Sequence, residues 1–116
     1  MKTQDRRKNE RILSRLRCWC EAGNITLYSR IGNLSEGGMF LRTSTPMAKG
    51  ERTVLRLRCP DEQEVCTEAV VVWMREKREA EQPAGMGLRF EGLDSGALEV
   101  LRRIISREQR TFALGA

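Results

Sequence analysis

The chain has 116 residues, enough for one domain with its own core, and no apolar run nears the roughly 20 residues of a membrane helix. It has no histidine, which removes the commonest general base and metal ligand, and residues 1–5 lack a secretory apolar stretch, so a cytoplasmic, non-enzymatic protein is expected. The formal charge of +5 gathers at one end, where residues 1–17 hold seven basic and two acidic side chains while the rest balances. That points to an anionic partner met by the N-terminal segment, or to a solvated basic tail.

In chain order, residues 1–11 are polar and basic, with Arg6, Arg7 and Arg11 but no periodic apolar face, and read as a tail. From Ile12 the period becomes two: Leu16, Cys18 and Cys20 alternate with Arg15, Arg17, Trp19 and Glu21, which predicts a half-buried strand. Ala22-Gly23-Asn24 is a turn signal, and residues 25–31, rich in β-branched and aromatic types, form a second strand. Asn33 to Gly38 should break it. Residues 39–43 make a short third strand, and 46–50 a loop. Leu55, Leu57 and Cys59, interleaved with Arg56 and Arg58, give a strand with a charged outer face. Residues 60–63 turn the chain, residues 65–74 give the longest strand, and 77–84 form a mobile charged loop. Residues 85–90 give a last strand whose glycines suggest close backbone approach or a bulge.

The period then changes. Leu98, Leu101, Ile104, Ile105 and Glu108 recur at helical spacing, and Asp94 or Ser95 can cap the start, so a helix over about 94–109 is expected. Six antiparallel strands and one helix predict a mostly β fold: a six-stranded antiparallel barrel with a C-terminal α-helix as its lid. The domain boundaries are a tail over 1–11, a barrel with its helix over 12–110, and a tail over 111–116.

The four cysteines, Cys18, Cys20, Cys59 and Cys66, show C-x-C in a strand and C-x₆-C across a hairpin. Neither is a zinc knuckle, so they are expected as core or strand residues, with no metal or cofactor. Trp19 and Trp73 are expected in the barrel packing, as are Met39, Met74, Met86 and Phe90. Only six aromatic residues exist and the body of the chain is neutral, which weighs against DNA as a partner.

Two short stretches carry the functional signal. Arg7 and Arg11 are guanidinium forks four apart, suited to phosphate oxygens and the guanine edge. Asn33, Ser35, Gly37 and Gly38 form a polar turn. Asn33 can read a base edge or make an Asx turn, and Ser35 can bond phosphate, base or its own backbone. The two glycines permit positive φ and leave room for a ligand. By themselves these residues suggest an anion- or nucleotide-binding site.

The ordered pair Arg7-x-x-x-Arg11 and Asn33-x-Ser35-x-x-Gly38 resembles the RxxxR and [D/N]xSxxG motifs of the PilZ domain. Arg6 matches the common Arg-Arg opening, and Gly85-Met86-Gly87-Leu88-Arg89-Phe90 is also similar to that family. The resemblance spans about residues 6–108. It implies a barrel whose N-terminal segment clamps cyclic di-GMP against the turn. Arg7 and Arg11 would hold phosphate and guanine, Asn33 and Ser35 would read the other guanine edge, and Gly38 would give backbone access. Arg6 implies an intercalated ligand dimer. A conformational change signalled to a downstream protein follows, with the chain a monomer or homodimer and not inserted in a membrane. The alternative is a PilZ-like adaptor that acts without ligand.

Overall fold

The computed structural model describes residues 11–59 and 62–115. In chain order the strands are β1 (Ile12–Leu13), β2 (Arg17–Ala22), β3 (Ile25–Leu34), β4 (Gly38–Arg42), β5 (Arg52–Leu57), β6 (Val65–Arg75) and β7 (Gly85–Glu91), followed by α1 (Ser95–Gly115). β2 to β7 close into a six-stranded antiparallel barrel in the order β3-β2-β5-β6-β7-β4, with β4 pairing back onto β3. β1 is a two-residue addition to the far end of β3.

The barrel forms because the period-two strands place one set of side chains inside. Cys18, Cys20, Ile31, Leu41, Leu55, Val71, Met86 and Leu88 line the core, while Arg17, Trp19 and Arg56 face outward. α1 covers this core with Val100, Leu101 and Ile104, packing against β1 and β6. Asp94 is its cap: Oδ1 accepts from the Ala97 amide at 2.7 Å.

Several expectations change. β3 continues through Asn33 to Leu34, since a register shift between Ile31 and Asn33 lets the strand bend rather than stop. The helix runs to Gly115, beyond the expected end near residue 109. The charged stretch after β6 closes as a tight turn in which Glu79 and Gln82 exchange backbone hydrogen bonds of 3.0 and 2.8 Å. Ala80 takes a left-handed φ of 53° there. The expected turn at Pro60 and Asp61 lies outside the described residues.

Both tryptophans sit on the outside of the barrel, each 41% exposed, rather than inside it. The interior of so small a barrel is filled by Leu, Ile, Met, Val and Cys, so the indoles stack on outer neighbours. Met39 and Met86 are core, with Met74 and Phe90 packed at its edge.

Cys18, Cys20 and Cys59 are buried and Cys66 is exposed. Burial, with the neighbouring Cys20 adding to it, pushes the Cys18 thiol up to about 12, and burial raises Cys20 as well. Because thiolate is the reactive form, Cys66 should be modified first by a disulfide reagent near pH 8, with the buried thiols reacting only on unfolding. Rapid loss of Cys18 in native protein, read by mass spectrometry, would contradict this packing. Leu101→Ala should cost about 2–5 kcal/mol in urea denaturation, because Leu101 is fully enclosed between helix and barrel.

Candidate functional site

The site is built where β1, the end of β3 and the start of β4 meet. Ile12 pairs with Leu34 and Leu13 with Asn33, which places Arg11 beside Asn33. Arg11 Nη1 donates to Asn33 Oδ1 at 2.9 Å, closing a gap of 22 residues in sequence. Partial burial lowers the Arg11 pKa from its usual value, but the guanidinium remains charged at neutral pH.

The root of the N-terminal segment is held by a buried carboxylate. Between β1 and β2, residues 14–16 face only Ile31 and Gly32 of β3, one residue too many for a regular ladder. The extra residue turns Ser14 inward. Its Oγ donates to Glu108 Oε1 at 3.0 Å, and the Arg15 amide donates to the same oxygen at 3.1 Å. Ser14 Oγ also accepts from the Leu16 amide at 3.1 Å, and Ile31 N donates to Leu16 O at 2.8 Å. Glu108, 6% exposed, therefore serves as an anchor on the helix for the strand that leads to Arg11.

The turn after β3 is held by Ser35, which is 1% exposed. Its Oγ accepts from Gly37 N at 3.2 Å and donates to Gly38 O at 3.3 Å, while Ser35 N donates to Gly38 O at 2.9 Å. The hydroxyl thus shapes the loop. Among described glycines the positive φ values fall at Gly23, Gly50 and Gly92, so Gly37 and Gly38 do not supply left-handed backbone as expected. Gly38 is required by contact instead: a Cβ there would lie 2.0 Å from the Leu88 carbonyl oxygen of β7.

Beside the turn opens a cleft of about 850 Å³. Arg11, Arg89 and Arg102 bring three guanidinium groups to it, and Leu88, Phe90, Leu93 and Leu98 give an apolar wall. Two of these cations are held by carboxylates: Arg102 pairs with Glu36 of the turn at 3.1 Å, and Arg89 with Glu91 at 3.2 Å. Arg89 and Arg52 together keep the Glu91 carboxylate below its ordinary pKa.

A second cluster extends from Asn33 across the outer face. Asn33 pairs with Phe40, Phe40 with Gly87, and Gly87 with Trp73. Phe40 and Trp73 stack at 5.2 Å with 11° between planes. Arg75 lies over both rings, at 5.7 and 5.1 Å from their centroids, and donates to the Pro83 carbonyl at 2.6 Å. Gly87 is a glycine because the Trp73 indole lies flat on it, 2.2 Å from where a Cβ would sit.

Of the residues singled out from sequence, Arg11, Asn33, Ser35, Gly37 and Gly38 come together here; Arg6 and Arg7 lie outside the described residues. Glu36, Arg89, Arg102 and the Phe40–Trp73–Arg75 cluster were not anticipated. For the last, the glycines of β7 were the available signal, since each marks a neighbour lying close to the backbone. Forks, an amide and flat aromatic faces suit a planar, polar, anionic ligand.

A family model for the PilZ domain matches residues 5–107. Among solved structures, the chain is similar to the Bacillus subtilis inhibitor of motility MotI/DgrA, with a TM-score of 0.72 and 22% identity over 86% of this chain and 49% of that one. It is also similar to the PilZ domain of Escherichia coli YcgR with c-di-GMP, with a TM-score of 0.68 and 24% identity over 87% of this chain and 89% of that one. YcgR from the same organism in complex with c-di-GMP matches with a TM-score of 0.67 and 24% identity, over 89% of this chain and 47% of that one. The chain spans about half the length of MotI/DgrA and of that longer YcgR chain. At these identities the likeness is one of fold. No curated protein matches the chain.

The glycine contacts are directly testable. Gly38→Ala must force β4 away from β7, because the obstacle is backbone, and should destabilise the domain by about 1–3 kcal/mol in chemical denaturation. Gly87→Ala should displace the Trp73 ring and alter tryptophan fluorescence. An unchanged spectrum would contradict the flat packing.

Proposed function

The chain belongs to the PilZ domain family, and on that premise we propose that it is a receptor for cyclic di-GMP with no catalytic chemistry of its own. The observation that carries the reading is the Arg11–Asn33 hydrogen bond, which joins the two motif segments at one place. A ligand laid there would meet Arg11 from one side and the Asn33 amide from the other. Arg7, four residues before Arg11, would add a second fork. A guanine edge accepts at O6 and N7, which suits the arginines, and donates at N1 and N2, which suits the Asn33 carbonyl. The exposed Trp73 face, with Arg75 beside it, offers a flat surface for a base. The c-di-GMP held by the YcgR PilZ domain supports the choice of ligand.

The same geometry supports a route from ligand to partner. Glu36 belongs to the turn and Arg102 to the helix, so a ligand phosphate reaching Arg102 would compete with the Glu36 carboxylate. Loss of that pair would loosen the turn from α1 and change the helix surface offered to a downstream protein. Arg6 favours two stacked ligands in the site. Among the described residues no helix is long and apolar enough to cross a membrane, and work in the cytoplasm fits the messenger.

Isothermal titration with cyclic di-GMP tests the reading. Saturable binding is expected, with a stoichiometry that reports one ligand or two. Arg7→Ala and Arg11→Ala should each weaken it about tenfold or more, the scale of a lost hydrogen bond to a charged group. Asn33→Asp should tighten it, because a carboxylate accepts from both guanine donors. Absence of heat at high micromolar ligand would overturn the receptor reading and favour an adaptor that works without the messenger.

A further inference from the structure

A different face of the barrel carries its own signal. On the outside of β2, β3 and β5, Tyr28 pairs with Trp19, and Trp19 pairs with Arg56. Tyr28 is 51% exposed, and the two rings stack at 4.3 Å with 29° between planes. In the next row Arg30 stands directly opposite Arg17. Arg58 follows Leu57, the partner of Cys18, and so lies one residue past the ladder beside Arg17. All these side chains are exposed.

The composition of these rows is unfavourable for folding alone. Like charges placed opposite one another on neighbouring strands destabilise a sheet. Among the described residues no carboxylate pairs with Arg17, Arg30 or Arg58, whereas Arg56 lies between Glu21 at 3.8 Å and Glu64 at 3.7 Å. Arg17 packs over the Tyr28 ring, 5.8 Å from its centroid. An arginine row with no carboxylate partner among the described residues, beside two exposed aromatic rings, therefore fits a ligand that alternates negative charge with flat rings.

We propose that this face is a platform for single-stranded nucleic acid, separate from the cyclic dinucleotide site. The arginine row would follow the phosphates and the ring pair would receive one or two bases. An acidic protein segment would satisfy the arginines but leave the aromatic faces unused. The near neutrality of the chain outside its first 17 residues is an average; the barrel sorts its charges by face, and on this face Arg30 and Arg58 have no carboxylate partner among the described residues.

The experiment is fluorescence anisotropy of labelled oligo(dT) and oligo(U), about twelve nucleotides long, with the whole chain and no cyclic dinucleotide, at low and at physiological salt. Binding to at least one is expected, and the two probes separate a DNA from an RNA preference. Trp19→Ala should weaken it about 5- to 100-fold, Trp19→Phe should restore most of it, and neither should alter cyclic di-GMP binding. The double change Arg17→Ala and Arg30→Ala should reduce the salt slope by about 1.4. Circular dichroism checks that each variant folds, and Arg30→Glu, which spares the ring pair, must weaken binding even if Trp19→Ala unfolds. The proposal fails if neither oligonucleotide binds or if polyglutamate of equal length competes as well as unlabelled oligonucleotide. It also fails if binding survives Trp19→Ala but is lost with Arg7→Ala and Arg11→Ala, which would assign it to the basic end.

Discussion

β3 has to satisfy three strands at once, and the rest of the domain follows from how it does so. Its first six residues pair with β2, its last ones pair with β4 on one side and with β1 on the other. No flat strand could do this and also close a barrel. The irregularity at Gly32 supplies the bend, and a Cβ there would press to 2.8 Å on the Phe40 ring. The bend brings Asn33 to the outer surface beside Arg11, while Ile31 and Leu34 on either side remain buried. Barrel closure and assembly of the site are thus one geometric event.

The helix is more than a hydrophobic cover. Leu101 and Ile104 give α1 its place over the core, and polar side chains on the same helix then reach the root of the N-terminal strand and the turn after β3. Glu108 holds the bulge that leads to Arg11, and Arg102 holds the turn through Glu36. Arg103 holds Glu62 at 3.0 Å, near the start of β6. A carboxylate as enclosed as Glu108 is tolerable only because hydroxyl and amide donors converge on it. The exposed pairs contribute little stability. Through Glu108 and Arg102 the strand that leads to Arg11 and the turn after β3 share one support.

The outer surface is divided by chemistry. One face carries Phe40, Trp73 and Arg75 next to Asn33; another carries Trp19 and Tyr28 beside Arg17 and Arg30. In both, an aromatic pair takes its geometry from cross-strand register, and a guanidinium lies over a ring. Where a glycine faces an indole, as Gly87 faces Trp73, the sheet has been shaped to seat the ring.

Local pattern alone determined the strand alternation, the helix and a cap at Asp94 or Ser95, because side-chain period and capping chemistry act over a few residues. The ordered arginine and Asn-Ser-Gly stretches, together with the β7 glycines, were enough to point to the family and to the Arg11–Asn33–Ser35 part of the candidate site. Tertiary structure decided the rest: that Asn33 belongs to a strand, that Gly38 is required by the Leu88 carbonyl, that both tryptophans lie outside, and that Glu36, Arg89, Arg102 and Glu108 take part. Those facts depend on which strands become neighbours and in what register. Such contacts join residues tens of positions apart, and no periodicity within a segment encodes them.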